Sequence, residues 1–560
     1  MSPPQTGTSH FPDHIRRGSE VVVDVAIVGS GIAGLVTALD LLDARPDVTV
    51  VLIDKGAVGE SGSTPLAQGG LAAAVGHDDS PNLHAADTER AGDGHCNPRS
   101  VAVMAAETPD RVADLRARGA VFDTESDGDL ALAREGGQTV GRSVRAADAT
   151  GAEIFRSLRT AAVEVAEREG RLIRLQGMAA SLATGSAPDA PVTGVWMLLD
   201  DIDGGHATPA QDPGLILVRA KAVMLATGGC GGLYAATTNR DGATGDALAM
   251  AGRVGAALHD IEFVQFHPTG LKAPGKTSFQ RFLLTEALRG AGAHLLDAEG
   301  NRFMPSRHPD AELAPRHVVA KAILDQPGGA WLDARMIEPH QMKEEFPTVL
   351  DGAQRFGFDL LAEPVPVEPC EHYMIGGVAT DLWGRTSVPG LYAAGEVASS
   401  GVHGANRMAG NSLAQSCVFA HRAATDMARS LPEEHAAGDP DQPTFASADR
   451  RPYLRWVRSD LRKSMSAGAG AIRDAAGLAA TRQTLQNISK TVTSAWGGPR
   501  PPLQRDALEV ANMLVAANAI VEAAARRQES RGSHFRTDYP DPDPGWAGRR
   551  QRVRLTGSMP

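Results

Sequence analysis

Short, wholly apolar runs alternate with longer stretches in which apolar residues recur every three or four positions, the pattern of buried strands exchanging with helices. Val25 to Val28 predict a buried parallel strand, Ile32 to about Leu42 a helix, and Val48 to Ile53 a second strand. Residues 82–118 are helical in pattern up to Gly119, and Ala152 to Glu169 predict another helix. Leu172 to Leu225 read as strands joined by polar turns, a small antiparallel insertion returning to the main sheet. Ala222 to Gly232 run from strand into glycines, Leu391 to Ala394 form a strand ending at Gly395 and Glu396, and Ser412 to Ala424 form a helix. Late in the chain Val510, Met513, Leu514, Ala517, Val521 and Ala524 fall on one helical face, with Arg526 and Arg527 in its last turn.

The changes of pattern divide the chain. Residues 1–20 read as a polar, proline-containing leader, 21–255 as the first part of a Rossmann-like α/β domain, 256–364 as an inserted α+β capping domain, and 365–430 as the return to the first domain. A proline- and acid-rich linker, 431–447, precedes a C-terminal helical domain, 448–540, and an extended tail, 541–560. At 560 residues the chain is too long for one core, and small-molecule sites favour interfaces such as the one between cap and base.

The turn after the first strand carries the candidate chemistry. Gly29, Gly31 and Gly34 stand in G-x-G-x-x-G spacing and Asp54 follows 20 residues later, the dinucleotide-binding βαβ fingerprint with its ribose-binding acid. Strand, helix, second strand and acid together carry this reading; a glycine triplet alone is weak in a chain with 61 glycines. The loop that follows, GAVGESGSTPLAQGGLAAAV, is small and polar enough to lie flat against a planar ligand through Ser61, Gly62, Ser63, Thr64, Gln68, Gly69 and Gly70. The glycines at 228–232 lack a following acid and read as the opposite wall of the same site, with Thr244 to Asp246 within its reach.

Charge and cysteines narrow the class. A net charge of −12 argues against nucleic acid or anionic membrane as partner, and the N-terminus lacks a signal peptide's apolar core. No apolar run approaches a spanning length, so a cytoplasmic protein is expected. Cys96, Cys230, Cys370 and Cys417 lie far apart without a C-x-x-C, which excludes a disulfide reductase and predicts no metal site.

The segments GSGIAG, STPLAQGG, EFVQFHPT, LLTEALRG, ELAPR, EHYMIGGV, GLYAAGEV, GVHGANRMAGNSL and ESRGSHFRTDYP resemble, in order and spacing, the succinate dehydrogenase/fumarate reductase flavoprotein family over about residues 20–540. The resemblance implies FAD held by Gly29, Ser30, Gly31, Gly34, Asp54, Lys55, Ser61 to Thr64, Gln68 to Gly70, Asp246, Glu396, Ser412 and Leu413. Members in respiratory membranes carry a flavin-linked histidine where Ser63 stands, so the FAD is expected to be non-covalent, without iron–sulfur or membrane subunits. The REGG at 134–137 is similar to the members that oxidise L-aspartate, with Glu135 facing the substrate amino group; Gln138 and Arg145 stand where those often carry histidines. The resemblance implies a dicarboxylate pocket of His267, Thr285, His372 and Arg407, with Arg316 beside the reacting carbons and Glu286 orienting Arg316 or a water. The implied reaction converts L-aspartate to iminoaspartate with oxygen or fumarate as acceptor. This is the first step of NAD synthesis through quinolinate, with quinolinate synthase downstream; a fumarate-reducing or succinate-oxidising flavoprotein is the alternative.

Overall fold

The computed structural model describes residues 20–56, 62–187, 189–199, 214–273, 279–446 and 454–555. Its nucleotide domain begins with β1 (Glu20–Val28), α1 (Ile32–Ala44), β2 (Val50–Asp54) and α2 (Thr150–Glu169), followed by β3 (Leu172–Thr184), β4 (Val192–Leu199) and β5 (Leu215–Leu225). β1 lies between β2 and β5, parallel to both, and β2 pairs in parallel with the first half of β3. The second half of β3 turns away to form an antiparallel meander with β4 and β5. β2 and the second half of β1, Val25 to Val28, are buried on both faces, which explains their unbroken apolar runs.

The capping insertion is built on an antiparallel sheet of β6 (Val264–Leu271), β7 (His294–Leu296), β8 (Ala330–Asp333) and β9 (Val365–Met374), ordered β6-β9-β8-β7. β9 pairs along both β6 and β8, so the segment assigned from sequence to the returning nucleotide domain instead completes the cap's sheet. After it, β10 (Leu391–Ala393) adds in parallel beside β5, and α3 (Asn411–Ser430) packs with α1 and α2 over one face of the main sheet.

The C-terminal helices are α4 (Leu454–Gly468), α5 (Ala475–Trp496) and α6 (Arg505–Arg526). α6 is the one described helix long and apolar enough to cross a membrane, but its apolar window is 89% buried against the protein: it is a core helix over the other face of the sheet. Its burial extends well beyond the single face read from its spacing.

Two further expectations change. The helical stretch 82–118 is two helices, Pro81–Ala91 and Pro98–Ala117, interrupted where Gly92 and Gly94 weaken the helix and Pro98 restarts it under an Asn97 cap. Residues 541–555, read as part of an extended tail, instead carry a turn at Pro544–Trp546 and a strand, Arg552–Val553, paired with Leu258–His259. Residues 1–19 and 556–560 lie outside the described residues.

Candidate active site

A cavity of about 990 Å³, at the upper end for small-molecule sites, lies where the strand ends of the nucleotide domain meet the cap. Of the residues assigned from sequence to FAD and to the dicarboxylate, every described one lines it except Gly34; Gly228 and Gly229 line it too, whereas Gly231, Gly232 and Thr244 do not, and Ser61 lies outside the described residues. The three fingerprint glycines separate by what surrounds them. Gly29 has φ +107°, and a Cβ there would lie 2.2 Å from the Ala226 carbonyl oxygen; one at Gly34 would lie 1.9 Å from that of Gly29. These two are demanded by packing. A Cβ at Gly31 would meet only the Thr64 hydroxyl, at 3.3 Å, and Gly31 lines the cavity, so its bare backbone leaves room for a ligand.

The rest of this end suits an anionic, planar group. Ser30 donates through its N–H and hydroxyl to Asp54 Oδ2, at 3.1 and 2.5 Å, which holds the acid at the end of β2. Thr64 accepts the Ile32 N–H at 3.2 Å, beside the start of α1. α3 begins after Gly410 with no side-chain cap, and Gly410, Ser412 and Leu413 line the cavity, so the positive end of a 20-residue helix opens into it. Gln68 Oε1 is buried without a hydrogen-bond partner among the described residues. Bare backbone, an open helix terminus and an unsatisfied amide together fit FAD.

Two of the sequence candidates here are bound to the protein itself. Lys55 Nζ donates to Asp246 Oδ2 at 2.6 Å and Thr244 Oγ1 at 2.7 Å, and pairs with Glu509 of α6 at 3.0 Å. Arg505 donates to the Lys55 carbonyl at 2.6 Å, and Arg458 pairs with Glu509. The C-terminal domain thus grips the residue next to Asp54 by both backbone and side chain. Ser63 donates to Asn239 Oδ1 at 2.5 Å, and Asn239 in turn donates to the buried Glu371. Burial raises Glu371 to about 7, against the pull of Thr237 and Asn239, and burial with Glu371 nearby raises Glu396 to about 8.

At the cap end β6 and β9 bring the recognition groups together. Arg316 donates to Glu286 Oε2 at 2.6 Å and to Gln265 Oε1 at 3.1 Å; Arg407 donates to the same Gln265 oxygen at 3.2 Å and to Ser412 Oγ at 3.0 Å. One amide oxygen therefore sets the spacing of two guanidinium groups. Burial would raise the Glu286 carboxyl, but Arg316 and Arg289 outweigh it and hold it near 2. Arg407 forms no ion pair with any described carboxylate; burial, with Arg316 adding repulsion, lowers it to about 9. A buried guanidinium on neutral partners has the chemistry to bind an anion.

The Thr269 N–H donates to His267 Nδ1 at 3.2 Å, which leaves Nε2–H as that ring's donor. His372 stands 5.1 Å away, centroid to centroid, with Nδ1 at 2.8 Å from the Thr238 hydroxyl. Burial, then the nearby arginines, holds both rings well below the usual imidazole value, so both are neutral; His267 donates through Nε2, and His372 does so in the tautomer whose Nδ1 accepts from the Thr238 hydroxyl. Thr285 caps the helix that starts at Glu286, accepting the Ala287 N–H at 3.4 Å. Glu135 accepts the Gly70 N–H at 2.9 Å; burial raises its carboxyl above the ordinary range.

Residues 24–413 match the model of the FAD binding domain family, and residues 458–552 match that of the fumarate reductase flavoprotein C-terminal domain. The L-aspartate oxidase of Streptomyces coelicolor is 42% identical over 96% of this chain and 92% of its own length, and that of Caulobacter vibrioides 41% identical over 95% and 96%. The chain belongs to the L-aspartate oxidase family. Its fold is that of the wider flavoprotein family: E. coli quinol fumarate reductase superposes with a TM-score of 0.81 at 28% identity, covering 94% of this chain and 93% of that one. FAD is accordingly its cofactor.

Against the L-aspartate oxidase pattern, the two departures noted from sequence lie in different places. Gln138 is buried beneath Glu135, accepting its N–H at 3.0 Å. Arg145 points away from the cavity, to Glu345 at 2.9 Å and Asp123 at 3.7 Å, and joins base to cap. The sequence reading missed Gln265, although it stands two residues before His267, the strand period that puts both on one face. It also missed Tyr373, whose ring lies 4.8 Å from the Arg407 guanidinium, and Glu509, for which no local motif exists.

Proposed function

We infer that this chain oxidises L-aspartate to iminoaspartate, with FAD bound non-covalently. The observation that carries the assignment of roles is the pairing, in one cavity, of a carboxylate-free buried Arg407 with a buried Glu135: one recognises an anion, the other a cation. Arg407 with Ser412, and the neutral donors His267 and His372 with Thr285, take the two substrate carboxylates. Glu135 takes the ammonium and, its proton affinity raised by burial, receives the proton that nitrogen loses as the imine forms. Glu286 holds Arg316 by an ion pair, so Arg316 presents a fixed positive charge rather than a base.

FAD, when bound, supplies the two-electron oxidant that accepts hydride from Cα. Ser63 is a hydroxyl already engaged with Asn239, which supports a dissociable cofactor. Oxygen, giving hydrogen peroxide, and fumarate, which has the same two carboxylates as the substrate, are the proposed acceptors. Quinolinate synthase is the proposed consumer of the product in NAD synthesis, in a soluble, cytoplasmic setting consistent with α6 lying in the core.

Steady-state assays test this: aerobic L-aspartate should yield peroxide and oxaloacetate, the hydrolysis product of the imine, in equal amounts. Turnover of succinate in preference to aspartate would instead favour the dicarboxylate dehydrogenase reading.

A further inference from the structure

We infer that Gln138 is a positioning residue that holds Glu135 toward the substrate amino group and so sets the preference for an amino-dicarboxylate over a plain one. This rests on the assignment of Glu135 to the ammonium. Glu135 sits on the loop joining the short strands Leu132–Ala133 and Ser143–Val144; its carboxylate accepts the Gly70 N–H, and its backbone N–H is held by Gln138. The Gln138 amide is 3% exposed and does three things there. Its Oε1 accepts the Glu135 N–H at 3.0 Å, while Nε2 donates to Ser143 Oγ at 2.9 Å and to the Ala409 carbonyl at 3.5 Å.

Ala409 lies two residues beyond Arg407 and one before the turn into α3. One side chain therefore links the loop that reads the ammonium to the segment that reads a carboxylate. Its orientation is determined, because a flipped amide would set NH₂ against the Glu135 N–H and its oxygen against the Ala409 carbonyl, whereas the Ser143 hydroxyl could pair with either.

The outer end of the loop is anchored separately. Arg90 donates to the Gly137 carbonyl at 3.0 Å, and Asp87 accepts the Thr139 N–H and hydroxyl at 2.8 and 2.9 Å. On the inner side there is no slack: a Cβ at Gly136 would lie 1.9 Å from Glu286 Oε1, so the loop already touches the carboxylate that holds Arg316. With the outer end tied and the inner wall closed, the Gln138 side chain is what ties the Glu135 N–H to Ser143 and to the segment behind Arg407, alongside the turn bond from the Gln138 N–H to the Glu135 carbonyl.

The test is the ratio of kcat/KM for L-aspartate oxidation to kcat/KM for fumarate reduction, measured with FAD content and Tm for Gln138→Met, Gln138→His, Glu135→Gln and the Gln138→Met/Glu135→Gln double variant. Methionine keeps the volume and removes the hydrogen bonds; the ratio is expected to fall on the order of 10- to 100-fold, mainly through KM for aspartate. Histidine, which keeps an acceptor and a donor, should restore most of it, and Gln138→Met should add nothing in the Glu135→Gln background. A ratio within about twofold of the parent in Gln138→Met, while Glu135→Gln shifts it, would overturn the role of Gln138 alone. No shift in Glu135→Gln would remove the reading of Glu135, and this inference with it. Should Gln138→Met fail to retain FAD, Ser143→Ala, which removes only the far anchor of the same amide, is judged by the same ratio.

Discussion

At the nucleotide end of the cavity Lys55 and Arg458 are paired with Asp246 and Glu509, whereas at the cap end Arg407 forms no ion pair with a described carboxylate. Lys55, Asp246, Glu509 and Arg458 neutralise each other, and the ligand is met by bare backbone, a helix terminus and an unsatisfied amide. Across the cavity Arg407 is held by Gln265 and Ser412, both neutral, and the two histidines are kept uncharged. On the proposed roles, the first end would meet a large cofactor through shape and dipoles and the second a small substrate through a few desolvated charges, each of which would matter more.

The largest effect of that contrast belongs to Arg407. Arg407→Gln should lower kcat/KM for L-aspartate on the order of 1,000-fold, since a buried charge partner is lost, while the protein still binds FAD; absorbance spectra and steady-state rates check both halves. Next comes Glu135→Gln, for which the aspartate-to-fumarate ratio should fall by about 100-fold, the value of a hydrogen bond to a charged group. An equal loss of both activities would show that Glu135 supports the site generally.

At the nucleotide end single changes should do less. Glu509→Gln removes one of two acids on Lys55 and leaves Asp246 in place, so the dissociation constant for FAD, read by flavin fluorescence, should rise about tenfold. An unchanged constant would detach α6 from cofactor binding.

The smallest effect concerns stability. Glu371 and Glu396 are raised from the ordinary carboxyl value to about 7 and about 8, so the folded protein binds protons that the unfolded chain has released. Their contribution is fully present below the unfolded value near 4.5 and is lost as pH rises through 7 and 8. Tm should therefore fall by a few degrees between pH 6 and pH 9, and less steeply in Glu396→Gln; a parallel slope would refute the assignment.

The same contrast explains what could be read from sequence. β1, α1 and β2 are local and periodic, and the spacing of Gly29, Gly31 and Gly34 with Asp54 is legible because one continuous βαβ unit makes the site. The cap end gathers Glu135, His267, Glu286, Arg316, His372 and Arg407 from separate segments, so only resemblance to a family could assemble them, and Gln265, which spaces the two arginines, escaped even that. Glu509 lay beyond either route: its helix carries an ordinary apolar pattern, and its partner is 454 residues away. Residues 365–374 were grouped with the returning domain rather than the cap because a segment at a domain boundary has the same period whichever neighbour it pairs with. Glycine at 92 and 94 and proline at 98 were a local signal that the helical period outweighed in the reading.

The most direct test of the central claim is anaerobic mixing of the FAD-loaded protein with L-aspartate, and separately with succinate, while the visible flavin absorbance is followed before air is admitted. Rapid bleaching by L-aspartate, with peroxide and recovery of colour in air, is the predicted result. Bleaching by succinate alone would contradict the account, because it would leave the buried carboxylate of Glu135 without a partner to recognise.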